Sequence, residues 1–310
     1  MKVLITGSNG FIGRNLTDAL YNLTYVKPKL DIYGLHHGQY NDKDVHKLGH
    51  IIRIKCDLLN PEITQSLLQE IKPDIVFHLA AISCTQFVTN NLDVLNRNVK
   101  MLYNVLNNIT GKTKVVLASS VSVYGNLLSQ TKCNETMPTK PISFYALSKL
   151  YCEQLLKMVA KEKGIPYIIL RLVANAGRYS SHGIVHDIIS KLKSNNPVLQ
   201  MIGPSPGTVK PLMYVGHTIK YLIEAGFGSL QGIYNISPDD NISCYEIAKT
   251  IMEFLGIHKQ IRWDLPPLPG DNLQVNVSNR KALNNFHCRM PLHFSLTSLQ
   301  SALHDNRYLI

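Results

Sequence analysis

No apolar run in this 310-residue chain approaches the ~18 residues a helix needs to cross a bilayer, so a membrane role would need a partner. The six cysteines (Cys56, Cys84, Cys133, Cys152, Cys244 and Cys288) lie far apart and form no CxxC pair, and no His, Cys or carboxylate spacing suggests a metal. Reduced thiols in a cytoplasm are the simplest account, and the N-terminus runs directly into a hydrophobic strand, not into a charged stretch followed by a long apolar one. Acidic residues are fewer than basic ones, 21 against 32, giving a net charge of +11 that suits an anionic ligand, a nucleic acid or an acidic membrane. The basic residues form no run of five or more, however, and a scatter such as Lys112, Lys114, Lys161, Lys163, Lys191 and Lys193 argues against a nucleic-acid face. Repeats and low-complexity tracts are missing too. What is present, 45% hydrophobic against 17% charged residues, is enough for one large core or two modest ones and excludes a disordered or fibrous chain.

The first half alternates short apolar runs with helical spacing. Lys2–Thr6 is a β-branched strand ending in glycines, after which Phe11, Ile12, Leu16, Leu20 and Leu23 recur along one helical face. Further strands are expected at Asp31–Leu35, Ile51–Lys55, Ile75–Leu79, Lys114–Ala118 and Tyr167–Leu170, and helices at Glu62–Ile71, Leu92–Ile109 and Phe144–Lys163. Strands this apolar on both faces belong in a covered parallel sheet, and right-handed crossovers then give a doubly wound, Rossmann-type α/β fold that binds ligands at the carboxyl ends of its strands. After Arg171 the rhythm shifts to helices, short strands and Pro/Gly turns such as 203–207 and 266–270. The expected organisation is a dinucleotide-binding domain at 1–172, with a segment near 212–236 returning to it, and a smaller mixed α/β substrate-binding domain at 173–310. Ser243 and Glu246 form a capping box for a helix Tyr245–Leu255, which Gly256 stops.

Gly7, Gly10 and Gly13 give a GxxGxxG spacing between the first strand and helix, where backbone can approach a pyrophosphate at a helix N-terminus; Asn9, Phe11 and Ile12 complete that loop. A site for NAD normally places a carboxylate at the end of the second strand, on the adenosine ribose. Here His36 stands there, followed by His37. Loss of the acid removes repulsion toward a 2′-phosphate, and His36, His37 or Lys43 could donate to one, so the cofactor is read as NAD(P), leaning to NADP. The bland alternative is an exposed strand end. Asp57 is placed either to accept from an adenine amino group or to cap the next turn.

Tyr145 and Lys149 stand four apart on a predicted helix and project from one face, where an ammonium lowers the pKa of a neighbouring phenol and lets it exchange a proton near neutrality. The strand ending at Ser119-Ser120 can bring a hydroxyl to the same place. Together with Thr6 to Gly13, Cys56-Asp57-Leu58, His78-Leu79-Ala80-Ala81, Asn98, Tyr124-Gly125, Leu170-Arg171 and Tyr214-Val215, the chain resembles the extended short-chain dehydrogenase/reductase family, in its nucleotide-sugar epimerase/dehydratase/reductase group. The resemblance implies Tyr145 as general acid/base, Lys149 as its pKa modulator and nicotinamide-ribose ligand, and Ser120 as the hydroxyl that bonds the reacting sugar oxygen. It also implies that Leu58, Leu79, Ala80 and Ala81 line the cofactor site, that Asn98 supports it, and that the chain forms a homodimer through Lys100–Ile109 and Tyr145–Ala160.

Departures from the group's pattern narrow the reaction. The 4,6-dehydratases place an acid pair after the active-site hydroxyl, where this chain has Val121 and Ser122. The 4-epimerases commonly carry the acid replaced here by His36, and an asparagine three residues after the Arg171 equivalent; here that position is Ala174, and Asn175 follows. These changes favour hydride transfer at C4 of a nucleotide-activated sugar, with a 4-ketoreductase ahead of a 4-epimerase. Cys84, Asn175, Arg178, His182 and Lys210 are candidates to touch the sugar or its diphosphate, and His78, inside an apolar strand, reads as a core histidine. A non-catalytic dinucleotide sensor is the rival class, and the intact Ser120, Tyr145 and Lys149 set argues against it.

Overall fold

The computed structural model describes residues 1–25, 30–38, 50–83, 91–126, 132–266, 274–288 and 295–305. Six strands alternate with helices through the first half: β1 (Lys2–Thr6), α1 (Phe11–Thr24), β2 (Asp31–His36), β3 (Ile51–Lys55), α2 (Pro61–Ile71), β4 (Ile75–His78), α3 (Leu92–Asn107), β5 (Lys114–Ser120), α4 (Phe144–Lys163) and β6 (Tyr167–Leu172). Then follow β7 (Ala174–Ala176), α5 (Ile184–Lys193), β8 (Val198–Ile202), β9 (Val209–Lys210), β10 (Leu212–Tyr214), α6 (Val215–Phe227), β11 (Gly232–Ile236), β12 (Ile242–Ser243), α7 (Cys244–Leu255), β13 (Gln260–Leu265), α8 (Arg280–Asn285) and α9 (Ser295–His304).

The main sheet is parallel throughout, in the order β11-β6-β5-β4-β1-β2-β3. The order reverses between β1 and β4, and Val3 pairs with Ile32 on one side and Ile75 on the other. That reversal opens a crevice at the carboxyl edge, the usual ligand position of a doubly wound sheet. Both faces are covered, which accounts for the continuous apolar runs. On one face Val3, Ile5, Leu16, Leu20, Phe77 and Leu222 share a core; on the other, Leu4, Val76, Leu102, Leu106 and Leu156 do. A third core, with Val185, Ile188, Leu199, Ile247 and Leu299, lies among α5, α7 and α9.

Local chemistry explains the element ends. Asn60 Oδ1 accepts from Ile63 N at 3.0 Å with Pro61 in the first turn of α2, and Ser143 accepts from Ala146 N at 3.1 Å to start α4, which Gly164 ends at φ 67°. The expected capping box is present, with Ser243 N donating to Glu246 Oε2 at 2.8 Å and Glu246 N to Ser243 Oγ at 3.1 Å. The helix α4 has the expected limits. By contrast β5 and β6 run two residues beyond the apolar stretches, so Ser119, Ser120 and Arg171 are strand residues. Polar groups end an apolar run in sequence without ending the ladder, because each is bonded within the protein.

From the segment near 212–236, α6 packs against α1 and the sheet, and β11 pairs with the far edge of β6, Ile233 opposite Ile169. Gly226 lets α6 approach, since a Cβ there would overlap the ring of Phe77, which is fully buried. Gly226→Ala should therefore destabilise the whole sheet by about 1–3 kcal/mol, read as a lower urea midpoint with an unchanged m value.

Candidate dinucleotide and proton-transfer site

The glycine loop is held by backbone contacts that a side chain would block. Gly7 has φ +70°, and a Cβ on it would lie 2.8 Å from Ala80 N; a Cβ on Gly13 would overlap the Gly7 carbonyl. Gly10 N donates to Gly7 O at 2.9 Å, and Gly10 is itself the N-cap of α1, with no side-chain cap bond and no acid in the first turn. The positive end of α1 thus meets a loop of bare backbone, a cradle that fits a pyrophosphate. Asn9, Phe11 and Ile12 lie around it.

At the adenosine end, His36 is buried and its Nδ1 is 3.0 Å from the Gly38 carbonyl. Burial lowers its pKa, the Gly38 bond opposes this, and Arg53 and Lys55 lower it further, so the ring is uncharged at neutral pH. His37 is exposed beside it. Asp57 Oδ1 accepts from Leu59 N at 3.0 Å and the Asp57 carbonyl from Asn60 N at 3.0 Å, which is the capping arrangement. Leu58 directs its side chain into the core with Leu68 and Ile71, and its carbonyl accepts from Asn104 Nδ2 at 2.7 Å, so what it can offer a cofactor is backbone N–H.

Thr6 ties the glycine loop to the end of β4. Its Oγ1 accepts from Leu79 N and Ala80 N, each at 3.2 Å, and lies 3.1 Å from His78 Nδ1. Because Oγ1 receives two N–H bonds, its own proton goes to Nδ1. His78 is the buried core histidine expected, its pKa lowered to about 3 by burial and by Lys149. Ala81 follows at half-buried depth. Asn98 is a brace: its Oδ1 accepts from Ile82 N at 2.7 Å, and its Nδ2 donates to the Ile82 carbonyl and to Ser148 Oγ, both at 3.0 Å. It fixes the chain leaving β4 against α4.

The helix α4 lies along β5 and carries the catalytic candidates. Lys149 Nζ donates to the Ala118 carbonyl at 2.9 Å and sits 5.7 Å from the centre of the Tyr145 ring. Burial lowers the lysine's pKa, and Cys152 and Glu153 oppose that. Two residues beyond Ala118, Ser120 Oγ accepts from Ser122 N at 3.2 Å and from Ser122 Oγ at 2.9 Å. Ser120, Tyr145 and Lys149 are thereby gathered at the carboxyl edge of the sheet.

Sequence reasoning missed the polar cluster beneath them. Glu153 accepts from Ser119 Oγ at 2.6 Å, from Arg171 Nε at 2.9 Å and from Arg171 Nη2 at 2.7 Å. Arg171 Nη1 donates to Tyr124 Oη at 2.8 Å, which lies 2.8 Å from Asn235 Oδ1. The available signal was Glu153 itself, a carboxylate on the face of α4 that also buries Ala146, Lys149, Leu156 and Ala160.

The described substrate candidates are held by different parts of the fold. Asn175 donates to the Val173 carbonyl at 2.8 Å and accepts from Thr218 Oγ1, so its amide serves the fold. Arg178 turns toward α1, 3.3 Å from Asp18 and stacked 4.2 Å over the Tyr179 ring. The carbonyl of His182 accepts from Ser180 Oγ at 2.9 Å, and Lys210 belongs to β9, opposite Ile242 on β12. Cys84 and Lys43 lie outside the described residues. Among the described residues no cluster of His, Cys, Asp and Glu could hold a metal, and no helix is long and apolar enough to cross a membrane.

A doubly wound sheet with a glycine loop at its switch point and a Ser, Tyr, Lys set beside it defines a dinucleotide-dependent enzyme of the extended short-chain dehydrogenase/reductase type. Residues 3–223 match the NAD dependent epimerase/dehydratase family, and the chain belongs to that family. A GDP-6-deoxy-D-talose 4-dehydrogenase of Aggregatibacter actinomycetemcomitans is 31% identical over 186 residues, 56% of this chain and 55% of that protein; the chain thus spans about half the length of that relative. A dTDP-glucose 4,6-dehydratase of Haemophilus influenzae is 24% identical over 82% of this chain and 80% of its own. Among solved structures, the UDP-glucose 4-epimerase of Thermus thermophilus in complex with NAD shares the fold with a TM-score of 0.84 over 100% of both chains, at 24% identity.

The low pKa of His78 has a consequence for stability. The folded state keeps the ring neutral down to about 3, while the unfolded chain takes up a proton below 6.5. Stability is therefore present above 6.5 and lost as pH falls, by about 1.4 kcal/mol per pH unit from this group. In His78→Asn, whose Oδ1 can still accept from Thr6, the urea-derived stability should fall less steeply than in the parent between pH 6.5 and about 5. Equal slopes would refute the assignment.

Proposed function

We propose that the chain is an NAD(P)-dependent oxidoreductase of a nucleotide-activated sugar, exchanging hydride at C4 of the hexose. Reduction of a 4-keto sugar is the favoured direction and 4-epimerisation the second reading. The observation that carries this is Lys149, bonded to the Ala118 carbonyl at 2.9 Å and 5.7 Å from the Tyr145 ring, two residues from Ser120 in the same strand end. When bound, the dinucleotide supplies or accepts the hydride. Tyr145 donates a proton to the C4 oxygen in reduction and takes it back in oxidation. Ser120, whose two bonds from Ser122 both enter its oxygen, keeps its own proton to hold that C4 oxygen. Lys149 stabilises the phenolate left on Tyr145.

Val121 is buried and Ser122 is engaged with Ser120, so neither acts as the acid or base that dehydration needs. The relative named as a 4-dehydrogenase supports chemistry at C4. In this reading residues 1–172, with the returning α6 and β11, bind the dinucleotide and 173–310 bind the sugar nucleotide, with Lys210 on β9 as a candidate phosphate contact. Exposed Tyr103 on α3 and Tyr151 and Met158 on α4 support a homodimer through these helices. The enzyme is placed in the cytoplasm, in keeping with the unpaired thiols of Cys56, Cys133, Cys152, Cys244 and Cys288.

The lean to NADP rests on the missing acid at the end of β2. A neutral His36 does not repel a 2′-phosphate, and its register partner Lys55 supplies charge at the same edge. Titration of the purified protein with NADPH and NADH should give at least about tenfold tighter binding of NADPH, equivalent to about 1.4 kcal/mol. Tightly co-purified NAD would instead support the epimerase. Tyr145→Phe should bind either cofactor as the parent does and lose about 10²–10⁴-fold in turnover of a nucleotide-activated 4-keto-6-deoxyhexose. Normal turnover in that variant would remove Tyr145 from the mechanism.

A further inference from the structure

The ion pair of Arg171 with Glu153 is almost completely buried, with side chains 4% and 0% exposed. A pair in such a place is weak evidence for stability, because desolvation offsets its attraction and apolar residues of similar volume often do as well. Its geometry points elsewhere. Arg171 forks onto both carboxylate oxygens from β6, and Ser119 on β5 donates to the same Oε1. Ser119 adjoins Ser120, and Glu153 stands one turn after Lys149, which is itself bonded to Ala118. Two bonded ties, from Lys149 to residue 118 and from Glu153 to residue 119, therefore register α4 on the end of β5. The guanidinium continues through Tyr124 to Asn235, whose Nδ2 donates to the carbonyls of Cys133 at 3.1 Å and Ser278 at 3.2 Å.

We infer that Glu153 is a positioning residue that sets Tyr145 and Lys149 against Ser120 through Ser119 and Arg171 and holds the ammonium of Lys149 by its charge. The inference rests on the assignment of Tyr145 and Lys149 to proton transfer. The ionisable groups around Lys149 and Glu153 are His78 on β4, Arg171 on β6, Tyr124 beyond β5, and Tyr145 and Cys152 on α4 itself. Of these, His78 stays neutral, Arg171 stays charged and burial pushes the Cys152 thiol up to about 11, so at neutral pH Glu153 is the anion that offsets the burial of Lys149.

The test reads Lys149 directly, without a sugar substrate. The full chain carries 13C-labelled lysine, and the Lys149 Cε resonance, assigned by its loss in Lys149→Arg, is followed by NMR across a pH series. Glu153→Gln should move the Lys149 midpoint to lower pH by about one unit. Ser119→Ala keeps both charges and should leave the midpoint in place, while turnover falls several-fold and the cofactor Kd stays within about twofold. If Glu153→Gln does not fold, Glu153→Asp replaces it, with the charge kept and the reach shortened. The aspartate should preserve the midpoint and lower turnover at least about tenfold. An unchanged midpoint in Glu153→Gln, or parental turnover in Ser119→Ala and Glu153→Asp, would overturn the inference. A shifted midpoint in a protein that turns over no nucleotide sugar leaves the hold of Glu153 on the Lys149 ammonium standing and rejects the proposed function.

Discussion

The close approach of the glycine loop to the end of β4 is the constraint on which the site depends. Gly13 lies on the Gly7 carbonyl, Gly7 lies on Ala80, and Thr6 collects the amides of Leu79 and Ala80. None of these contacts tolerates a Cβ at the two glycines. They bring the N-terminus of α1, the end of β1 and the end of β4 to one point, the place where the strand order reverses. A dinucleotide cradle follows from that convergence, because bare amides and a helix's positive end meet where no side chain can stand.

The second requirement is that α4 keep its register on β5. Apolar packing is non-directional and alone would allow small slips along the sheet, where Cys152, Leu156 and Ala160 share a core with Val115 and Leu117. Directional bonds remove that freedom: Lys149 to Ala118 and Ser119 to Glu153 tie two successive turns of α4 to β5, and Asn98 to Ser148 ties α4 to α3. The chemistry of the edge is thus set from below by buried polar groups, while the strands supply its rigidity.

Much of this was legible in the chain. The strand and helix alternation, the glycine spacing and the Tyr145, Lys149 pair carry periodic or positional signals, and β1, β3 and α4 have the limits that their apolar periodicity implies. Strand ends were less legible where polar residues complete a ladder, as at Ser119, Ser120 and Arg171. The substrate candidates were the least legible. Asn175 and Arg178 have the right residue types near the right position, but their side chains are engaged with Thr218 and Asp18, long-range partners that no local pattern encodes. Leu58 shows the same limit in reverse, since a family position can be kept for its backbone while its side chain serves the core. The Glu153 cluster spans β5, β6, α4 and β11 and exists only once the chain is folded.

The path of the chain through α6 and β11 has a consequence for how the molecule can be divided. The strand β11 covers the outer edge of β6, and Ile219, Leu222 and Ala225 of α6 complete the core that α1 begins. A fragment cut after residue 172 would keep every glycine of the loop and Ser120, Tyr145 and Lys149 as well. It would also carry a bare row of backbone donors and acceptors along β6 and an uncovered apolar face beside α1, the features that drive edge-to-edge association. The part that looks self-sufficient when read from its N-terminus is therefore not a separable module. Grafting this half onto another partner would have to include the distant returning segment, and shuffling by a single crossover would break the sheet rather than exchange one half of the chain.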